Sequence, residues 1–125
     1  MMVNALMVGM GGFVGSVCRF LVYEASKLMF SSPWLPYATL TVNIVGCFII
    51  GLLGGISEVR QIFTPELRCL VFVGFLGGFT TFSTFGLEIF AMLSDGRPLA
   101  ALTCIATHLI FGVAAVWLGW TLALS

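Results

Sequence analysis

The sequence predicts an all-α membrane protein in which four spanning helices are joined by short loops. Of its 125 residues, 60% are apolar and only 8% are charged, whereas a soluble domain carries roughly 25% charged residues. The mean hydropathy is +1.15, and a surface this apolar would aggregate in water but suits lipid. A helix needs about 20 residues to cross the hydrocarbon core, so four helices use most of the chain and leave no room for a soluble domain.

Four continuous apolar runs define the predicted helices, at about residues 3–28, 37–56, 67–93 and 99–124 of a single transmembrane domain. Polar or proline-containing segments separate them, namely residues 31–36, 58–65 and 94–98. A β-barrel is disfavoured, because its strands alternate apolar and polar residues over about 10 positions. The N-terminus has no basic region before its apolar run and no small-residue cleavage site, so we expect the first helix to be retained.

Glycines recur at helix-packing intervals in three of the runs. Gly11 and Gly15, Gly51 and Gly55, and Gly74 and Gly78 each form a GxxxG pair. Small residues at this spacing let helix backbones approach closely in lipid, where no hydrophobic effect drives helices together. We therefore expect close helix packing at these pairs.

The flanking basic residues do not favour one orientation. Arg60 and Arg68 lie on the side of the N-terminus and second loop, and Lys27 and Arg97 lie on the opposite side. Orientation normally follows an excess of Lys and Arg on the cytoplasmic side. The balance suggests insertion in both orientations and assembly as an antiparallel dimer, although a weak charge bias does not by itself require dual insertion.

The third run contains the most unusual segment, from Gly74 to Phe85, with the sequence GFLGGFTTFSTF. Its glycines and hydroxyl residues are poor helix formers, so we expect the helix to break near residues 77–81. Exposed backbone at membrane depth persists only where protein or a watery cavity surrounds it. Freed carbonyls there can hold a cation, and the following helix N-terminus favours an anion. The alternative is a kinked helix whose hydroxyls bond to their own backbone.

Two aromatic rings and one amide are candidates for contact with an ion. Phe82 and Phe85 share a helix face, and their positive ring edges could bind an anion weakly; plain core packing is the alternative. Asn43 lies in the middle of the second run, with Thr39 one turn before it on the same face. Its amide donors could line an ion path or could link helices.

Three ionisable residues inside the spans are further candidates, because such residues are costly in lipid. Arg19 could pair with an acid, a carbonyl or an anionic vestibule, or could extend to the interface as a structural residue. Glu88 could relay protons, but a structural hydrogen bond is the favoured interpretation. His108 and Cys104 are four residues apart and could bind a soft metal, yet no second pair accompanies them, so the four cysteines are interpreted as small apolar residues.

Other function classes find no support in the sequence. No nucleophile, base and acid occur in a recognisable catalytic pattern, and there is no phosphate loop, zinc motif or basic groove for nucleic acid. An enzyme or nucleic-acid-binding function is therefore not predicted.

The segment Gly74–Phe85, followed by Glu88, closely resembles the signature of the Fluc (CrcB-like) family of small bacterial fluoride channels. The resemblance extends over nearly the whole chain. It includes Gly11, Gly12, Gly15 and Arg19 in the first run, and the second-run sequence TLTVNIVG at residues 39–46.

This resemblance implies a passive, fluoride-selective channel in the bacterial inner membrane that lowers cytoplasmic fluoride. It implies an antiparallel, dual-topology homodimer with two pores and a central sodium ion. Backbone carbonyls of Gly77 and Thr80 would hold the sodium.

The resemblance also assigns roles along the fluoride path. Phe82 and Phe85 would supply ring edges, and Asn43 a donor. Ser83 and Thr84 would contribute hydroxyls. Arg19 would lie at a vestibule or interface, and Glu88 near the far end of the path.

The fourth run departs from the family pattern, which often has hydroxyl side chains along this helix. Cys104, His108 and Gly112 stand at those positions, so Thr107 or His108 would have to substitute. The alternative function is a proton-coupled small multidrug transporter, another class of four-helix dual-topology dimers. Those transporters need an acid midway along the first helix, whereas Glu24 lies late in the first run and Glu88 lies in the third.

Overall fold

The computed structural model describes all residues from 1 to 125, and the fold is entirely helical. The segments, in chain order, are α1 (Met2–Met29), α2 (Tyr37–Arg60), α3 (Pro65–Arg68), a π-helical segment (Cys69–Leu76), α4 (Gly77–Phe79), α5 (Phe82–Ser94) and α6 (Pro98–Leu124).

Four lengths of helix are long and apolar enough to cross a membrane: Met2–Met29, Tyr37–Arg60, Pro65–Ser94 and Pro98–Leu124. By length and composition, these helices confirm the prediction of four spans in a multi-pass membrane protein. The second helix continues to Arg60 rather than ending near residue 56, so Glu58 lies in its last turn. No glycine or proline follows Gly55 within this turn, and the helix ends where Gln61 adopts a left-handed conformation with φ 50°.

The four spans pack as two close pairs. Helix α1 lies along the π-helical segment and α4, and helix α2 lies along α6. At Gly15 an added Cβ would lie 2.1 Å from the Phe75 carbonyl oxygen, and at Gly51 it would lie 2.2 Å from that of Val116. Only glycine permits these backbone approaches, so the predicted use of the GxxxG pairs in helix packing is confirmed.

The interior of the chain is small. Only 18 of 125 residues are buried, and one apolar cluster joins the loop before α2 to α5 and α6 through Leu35, Met92, Ala100, Ala101 and Cys104. Most large apolar side chains, including Phe13, Phe90 and Trp117, face outward. A surface of this kind is stable against lipid or against another apolar protein surface.

Two residues of extended backbone interrupt the third span. Helix α4 ends at Phe79, and Thr80 has φ −86° and ψ 161°. Thr81 has φ −152° and ψ 119°, and its hydroxyl accepts a hydrogen bond from the Thr84 N–H, which caps α5. A threonine at this position satisfies one of the free N–H groups at the start of a helix.

Candidate functional site

The Asn43 side chain of α2 is bonded to both backbone groups of Thr81. The Thr81 N–H donates to Asn43 Oδ1 over 2.8 Å, and Asn43 Nδ2 donates to the Thr81 carbonyl over 3.0 Å. The amide thus replaces the partners that an unbroken helix would provide. Close packing supports this contact, because an added Cβ at Gly46 would lie 2.2 Å from Thr80 Cγ2.

The same arrangement removes the helical hydrogen bonds of two carbonyl groups. The Gly77 carbonyl loses its usual partner, the Thr81 N–H, to Asn43. The Thr80 carbonyl loses the Thr84 N–H, which bonds to the Thr81 hydroxyl. Gly77 is exposed in a single chain.

Arg19 lies beside the extended pair. Its Nη1 atom is 3.4 Å from the Thr80 carbonyl oxygen, which makes a long and therefore weak hydrogen bond. Arg19 also lines a surface groove between α1 and α5, together with Ser16, Phe20, Tyr23, Glu24, Lys27 and Thr84. Of the partners that the sequence left open for Arg19, the carbonyl is the one contacted within the chain.

A cavity of about 460 Å³ opens beside the extended pair. It brings together six of the residues singled out from the sequence, which are Asn43, Gly77, Thr80, Phe82, Phe85 and His108. Its walls are otherwise mostly apolar, and the remaining lining residues are Gly46, Cys47, Ile50, Phe72, Leu76, Thr81 and Leu109.

The aromatic rings at this cavity form a short row. The ring centroids of Phe82 and Phe85 are 5.6 Å apart, and those of Phe85 and His108 are 4.4 Å apart. Phe85 is half-buried and packs against the apolar cluster, whereas Phe82 is 83% exposed. Core packing therefore accounts for Phe85 in part but leaves the position of Phe82 unexplained within one chain.

The hydroxyl residues predicted beside the rings point elsewhere. Thr84 receives a hydrogen bond from the Thr81 hydroxyl over 3.0 Å and lines the Arg19 groove. Ser83 is exposed, and its Oγ lies 3.4 Å from that of Thr81. Neither residue lines the main cavity.

A hydrogen-bonded chain, Tyr23–Thr39–Glu88, crosses the interior on the other side of α5. The fully buried Thr39 hydroxyl donates to Glu88 Oε1 over 2.7 Å, so Tyr23 must donate its phenolic hydrogen to Thr39. Thr39 therefore does not lie in the cavity with Asn43, although it shares a helix face with it. Glu88 Oε2 is buried without a partner, and Glu88 lines a separate cavity of about 250 Å³ near Asp95 and Arg97.

The polar residues of α6 mostly bond to their own helix. The Thr103 and Thr107 hydroxyls donate to the Leu99 and Thr103 carbonyls, both over 2.8 Å. His108 Nδ1 lies 2.9 Å from the Cys104 carbonyl oxygen and 3.7 Å from Cys104 Sγ. His108 is thus the polar α6 residue that reaches the cavity, while Gly112 adds no polar group.

Sequence reasoning did not single out three residues of this region. Thr81 is the residue to which Asn43 bonds, and its position before Phe82 as a helix-capping threonine was a usable signal. Tyr23 lies near the end of the first span, and its polar hydroxyl was the only available signal. Cys47 lines the cavity one turn after Asn43, but its sequence context resembles that of any small apolar residue.

The candidate ligands for a metal ion at this site are backbone carbonyl oxygens. No group of three or more His, Cys, Asp or Glu side chains is arranged to hold a metal. The Gly77 and Thr80 carbonyls are oxygen ligands that lack their helical partners, and such hard ligands suit an alkali or alkaline-earth cation. Two carbonyls from one chain are too few to surround such an ion.

Sequence comparison with known proteins places this chain in a family. Residues 6–120 match the family described as CrcB-like protein, Camphor Resistance (CrcB). A protein of Methylobacillus flagellatus named fluoride-specific ion channel FluC is 39% identical over 97% of this chain and 94% of its own length. One of the same name from Chlorobaculum tepidum is 43% identical over 98% and 95%. FluC 3 of Methanosarcina barkeri is 37% identical over 99% and 92%.

Proposed function

The chain belongs to the CrcB-like family, and we propose on that basis that it is a fluoride-selective ion channel. It is not an enzyme, because the relatives are named as ion channels. The observation that carries the assignment to a site is the Asn43–Thr81 contact, which holds two extended residues open beside a cavity lined by amide, ring and imidazole groups.

Asn43 has one donor to spare for an anion. Its Nδ2 carries two hydrogens, and only one is used by the Thr81 carbonyl. The second hydrogen is free to bind fluoride in the cavity. Fluoride is strongly hydrated, so a pore must replace its water with donors but bind it lightly enough for release.

Phe82 and Phe85 supply the weak contacts that such a path requires. Ring edges carry partial positive charge, and the two centroids are 5.6 Å apart along one wall of the cavity. Fluoride would pass these edges without meeting a buried lysine, which would hold it too tightly. Larger halides would fit this narrow row poorly.

A second copy of the chain, inserted in the opposite orientation, would complete the channel. Gly77 and Ser83 are both exposed, and their polar groups would face acyl chains at an energetic cost, because lipid offers no hydrogen bond and the Ser83 hydroxyl has only a 3.4 Å contact to Thr81. The exposed Phe82 lies on the same segment. An antiparallel homodimer would cover this surface and would place the break in the third span at mid-membrane, and the balanced basic residues permit that topology.

A sodium ion would fit between the two copies. Each chain provides the Gly77 and Thr80 carbonyls, so two chains provide four oxygen ligands around the dimer axis. When bound, sodium would supply positive charge at the centre of the dimer. Arg19 makes only a long contact to the Thr80 carbonyl, and an oxygen with two lone pairs can accept both partners.

The ends of the path have opposite electrostatic character. Arg19 lines the groove between α1 and α5, where it would attract fluoride, while Lys27 in the same groove is paired with Glu24. Glu88 lies by the other cavity near Arg97 and is held by Thr39. Ser83 and Thr84 would add hydroxyl donors near the entrance.

Transport would be passive export across the bacterial inner membrane, driven by the membrane potential and the fluoride gradient. The alternative of a proton-coupled multidrug transporter lacks support from the relatives, which are named fluoride channels. In the chain, Glu24 forms an exposed ion pair with Lys27 over 2.6 Å and does not lie at the centre of the first span.

Fluoride efflux from liposomes tests the assignment directly. Purified protein is reconstituted in vesicles loaded with potassium fluoride, and efflux is started with valinomycin and followed with a fluoride electrode. We expect rapid fluoride release, and no chloride release from matched vesicles loaded with potassium chloride. Equal release of both ions, or release no faster than from protein-free vesicles, would contradict fluoride-selective conduction.

A further inference from the structure

His108 is the only histidine in the chain, and its hydrogen bonding determines which ring nitrogen carries the proton. Nδ1 lies 2.9 Å from the Cys104 backbone carbonyl oxygen. A carbonyl can only accept, so Nδ1 must be the nitrogen that bears hydrogen. In the neutral imidazole, Nε2 is then a bare lone pair, and this atom is buried without any hydrogen-bond partner.

A bare Nε2 is the wrong group for an anion path. Fluoride accepts hydrogen bonds and cannot donate them, so an unprotonated Nε2 offers it no favourable contact. The ring nevertheless lines the same cavity as Asn43 and contacts Phe85, with centroids 4.4 Å apart. Adding one proton at Nε2 would give the ring a second N–H donor and a positive charge.

We propose that protonation of His108 at Nε2 converts this part of α6 from a barrier into a donor site, so that fluoride conduction rises as the pH falls. The proposal rests on the proposed channel function. Its basis is the tautomer set by the Cys104 carbonyl, together with the buried, unpartnered Nε2 atom of a residue that lines the cavity. Histidine is suited to such a role, because its charge changes between about pH 5 and about pH 8.

Ionisable groups on four helices bear on the protonation of this ring, with opposite signs for Glu88 and Arg19. Cys104 contacts the ring from α6 itself, and Cys47 of α2 lines the cavity opposite. Glu88 of α5 lies one turn beyond Phe85, and its ionised form would favour a protonated ring. Arg19 of α1 approaches the Thr80 carbonyl at the cavity edge and would oppose protonation.

Fluoride efflux at several pH values tests the proposal. Inner and outer pH are kept equal and varied from about pH 8 to about pH 5, and the leak of hydrofluoric acid from protein-free vesicles is subtracted. We expect efflux to rise several-fold towards acid pH in the unchanged protein and to stay flat in His108→Gln. His108→Ser should conduct at alkaline pH, because its hydroxyl donates at every pH. The matched control is Thr107→Ala, which should keep the pH dependence because this hydroxyl bonds only to its own helix.

Nitrogen NMR of the unchanged protein provides a readout independent of transport. Because there is one histidine, ¹⁵N-labelled imidazole gives one pair of signals. We expect a protonated Nδ1 and an unprotonated Nε2 at alkaline pH, and two protonated nitrogens in acid. An Nε2–H tautomer, or the same pH profile in His108→Gln as in the unchanged protein, would overturn the proposal. Absence of fluoride flux at every pH in folded protein would instead contradict the channel function.

Discussion

The side-chain amide of Asn43 binds both the N–H and the carbonyl of Thr81, over 2.8 Å and 3.0 Å. This pair of bonds compensates for the backbone partners that Thr81 gives up by being extended. Unpaired backbone groups are costly at membrane depth, so the contact stabilises the interruption. It also leaves one Asn43 hydrogen unused and the Gly77 carbonyl without its helical partner, and the proposed function assigns ion contacts to these two groups.

Replacing Asn43 by leucine should destabilise the protein and block transport. The exchange keeps the side-chain size but leaves the N–H and carbonyl of Thr81 without partners, at a cost of about 1–3 kcal/mol per group. We expect a lower melting temperature in detergent and a fall in fluoride efflux of roughly tenfold or more, since every ~1.4 kcal/mol on a barrier is a factor of ten.

The matched control for this variant is Asn4→Leu, because Asn4 lies near the start of α1 and does not line the cavity. This control should change neither melting temperature nor efflux appreciably. Normal efflux in Asn43→Leu would contradict the ion contact assigned to Asn43, and an unchanged melting temperature would contradict its role in holding Thr81.

Hydrophobic runs are sufficient to predict the four spans, because twenty or so apolar residues without interruption have few alternatives to a membrane helix. The predicted end of α2 is too early, since Glu58 and Arg60 are polar but still helix-compatible. Thr39 shows what helical spacing alone cannot predict about the site. Its helical spacing puts it on the same face as Asn43, but which partner a face meets depends on tertiary packing, and Thr39 meets Tyr23 and Glu88.

Isoleucine in place of Phe82 or Phe85 should sharply reduce fluoride flux. Either exchange removes a positive ring edge but keeps an apolar side chain. Phe82 is 83% exposed in a single chain, so its loss should leave the fold of the chain intact and affect mainly the pore. Phe90→Ile, which alters an outward-facing ring on the same helix, is the control and should conduct normally. Undiminished efflux in both Phe82→Ile and Phe85→Ile would contradict the pore assignment.

Alanine at Gly15 should disrupt the contact between α1 and the third span, whereas alanine at Gly9 should not. A Cβ at Gly15 would lie 2.1 Å from the Phe75 carbonyl oxygen, while nothing lies within 4 Å of one at Gly9. Gly9→Ala should stabilise α1 slightly, by about 0.5–1 kcal/mol. Thermal unfolding in detergent distinguishes the two, and equal melting temperatures would contradict the described packing.

Removal of sodium should weaken the dimer. If the Gly77 and Thr80 carbonyls of two copies hold sodium, the ion stabilises the assembled state by an amount that grows with the logarithm of its concentration above Kd. We expect protein purified with N-methylglucamine in place of sodium to dissociate at a lower temperature, and added sodium to restore the dimer. Added potassium serves as the ionic-strength control. A dimer equally stable without sodium would count against the central site.

Valine at Thr39 should cost more stability than the same exchange at Thr103. Thr39 is fully buried, and its hydroxyl both donates to Glu88 Oε1 and accepts from Tyr23. Its removal leaves Glu88 with two unpartnered oxygens, since Oε2 already has none, and we expect a loss of about 1–3 kcal/mol. The Thr103 hydroxyl bonds only to the Leu99 carbonyl of its own helix, so Thr103→Val should be nearly neutral.

The combined variant Thr39→Val, Glu88→Gln identifies the source of this loss. If an unpartnered carboxylate is the cause, the neutral amide introduced by Glu88→Gln should reduce the penalty of Thr39→Val, and the two changes should not be additive. Unfolding in detergent measures all four proteins of the cycle. Additive effects would mean that Thr39 acts through packing alone and that the Tyr23–Thr39–Glu88 chain does not hold the Glu88 carboxylate in place.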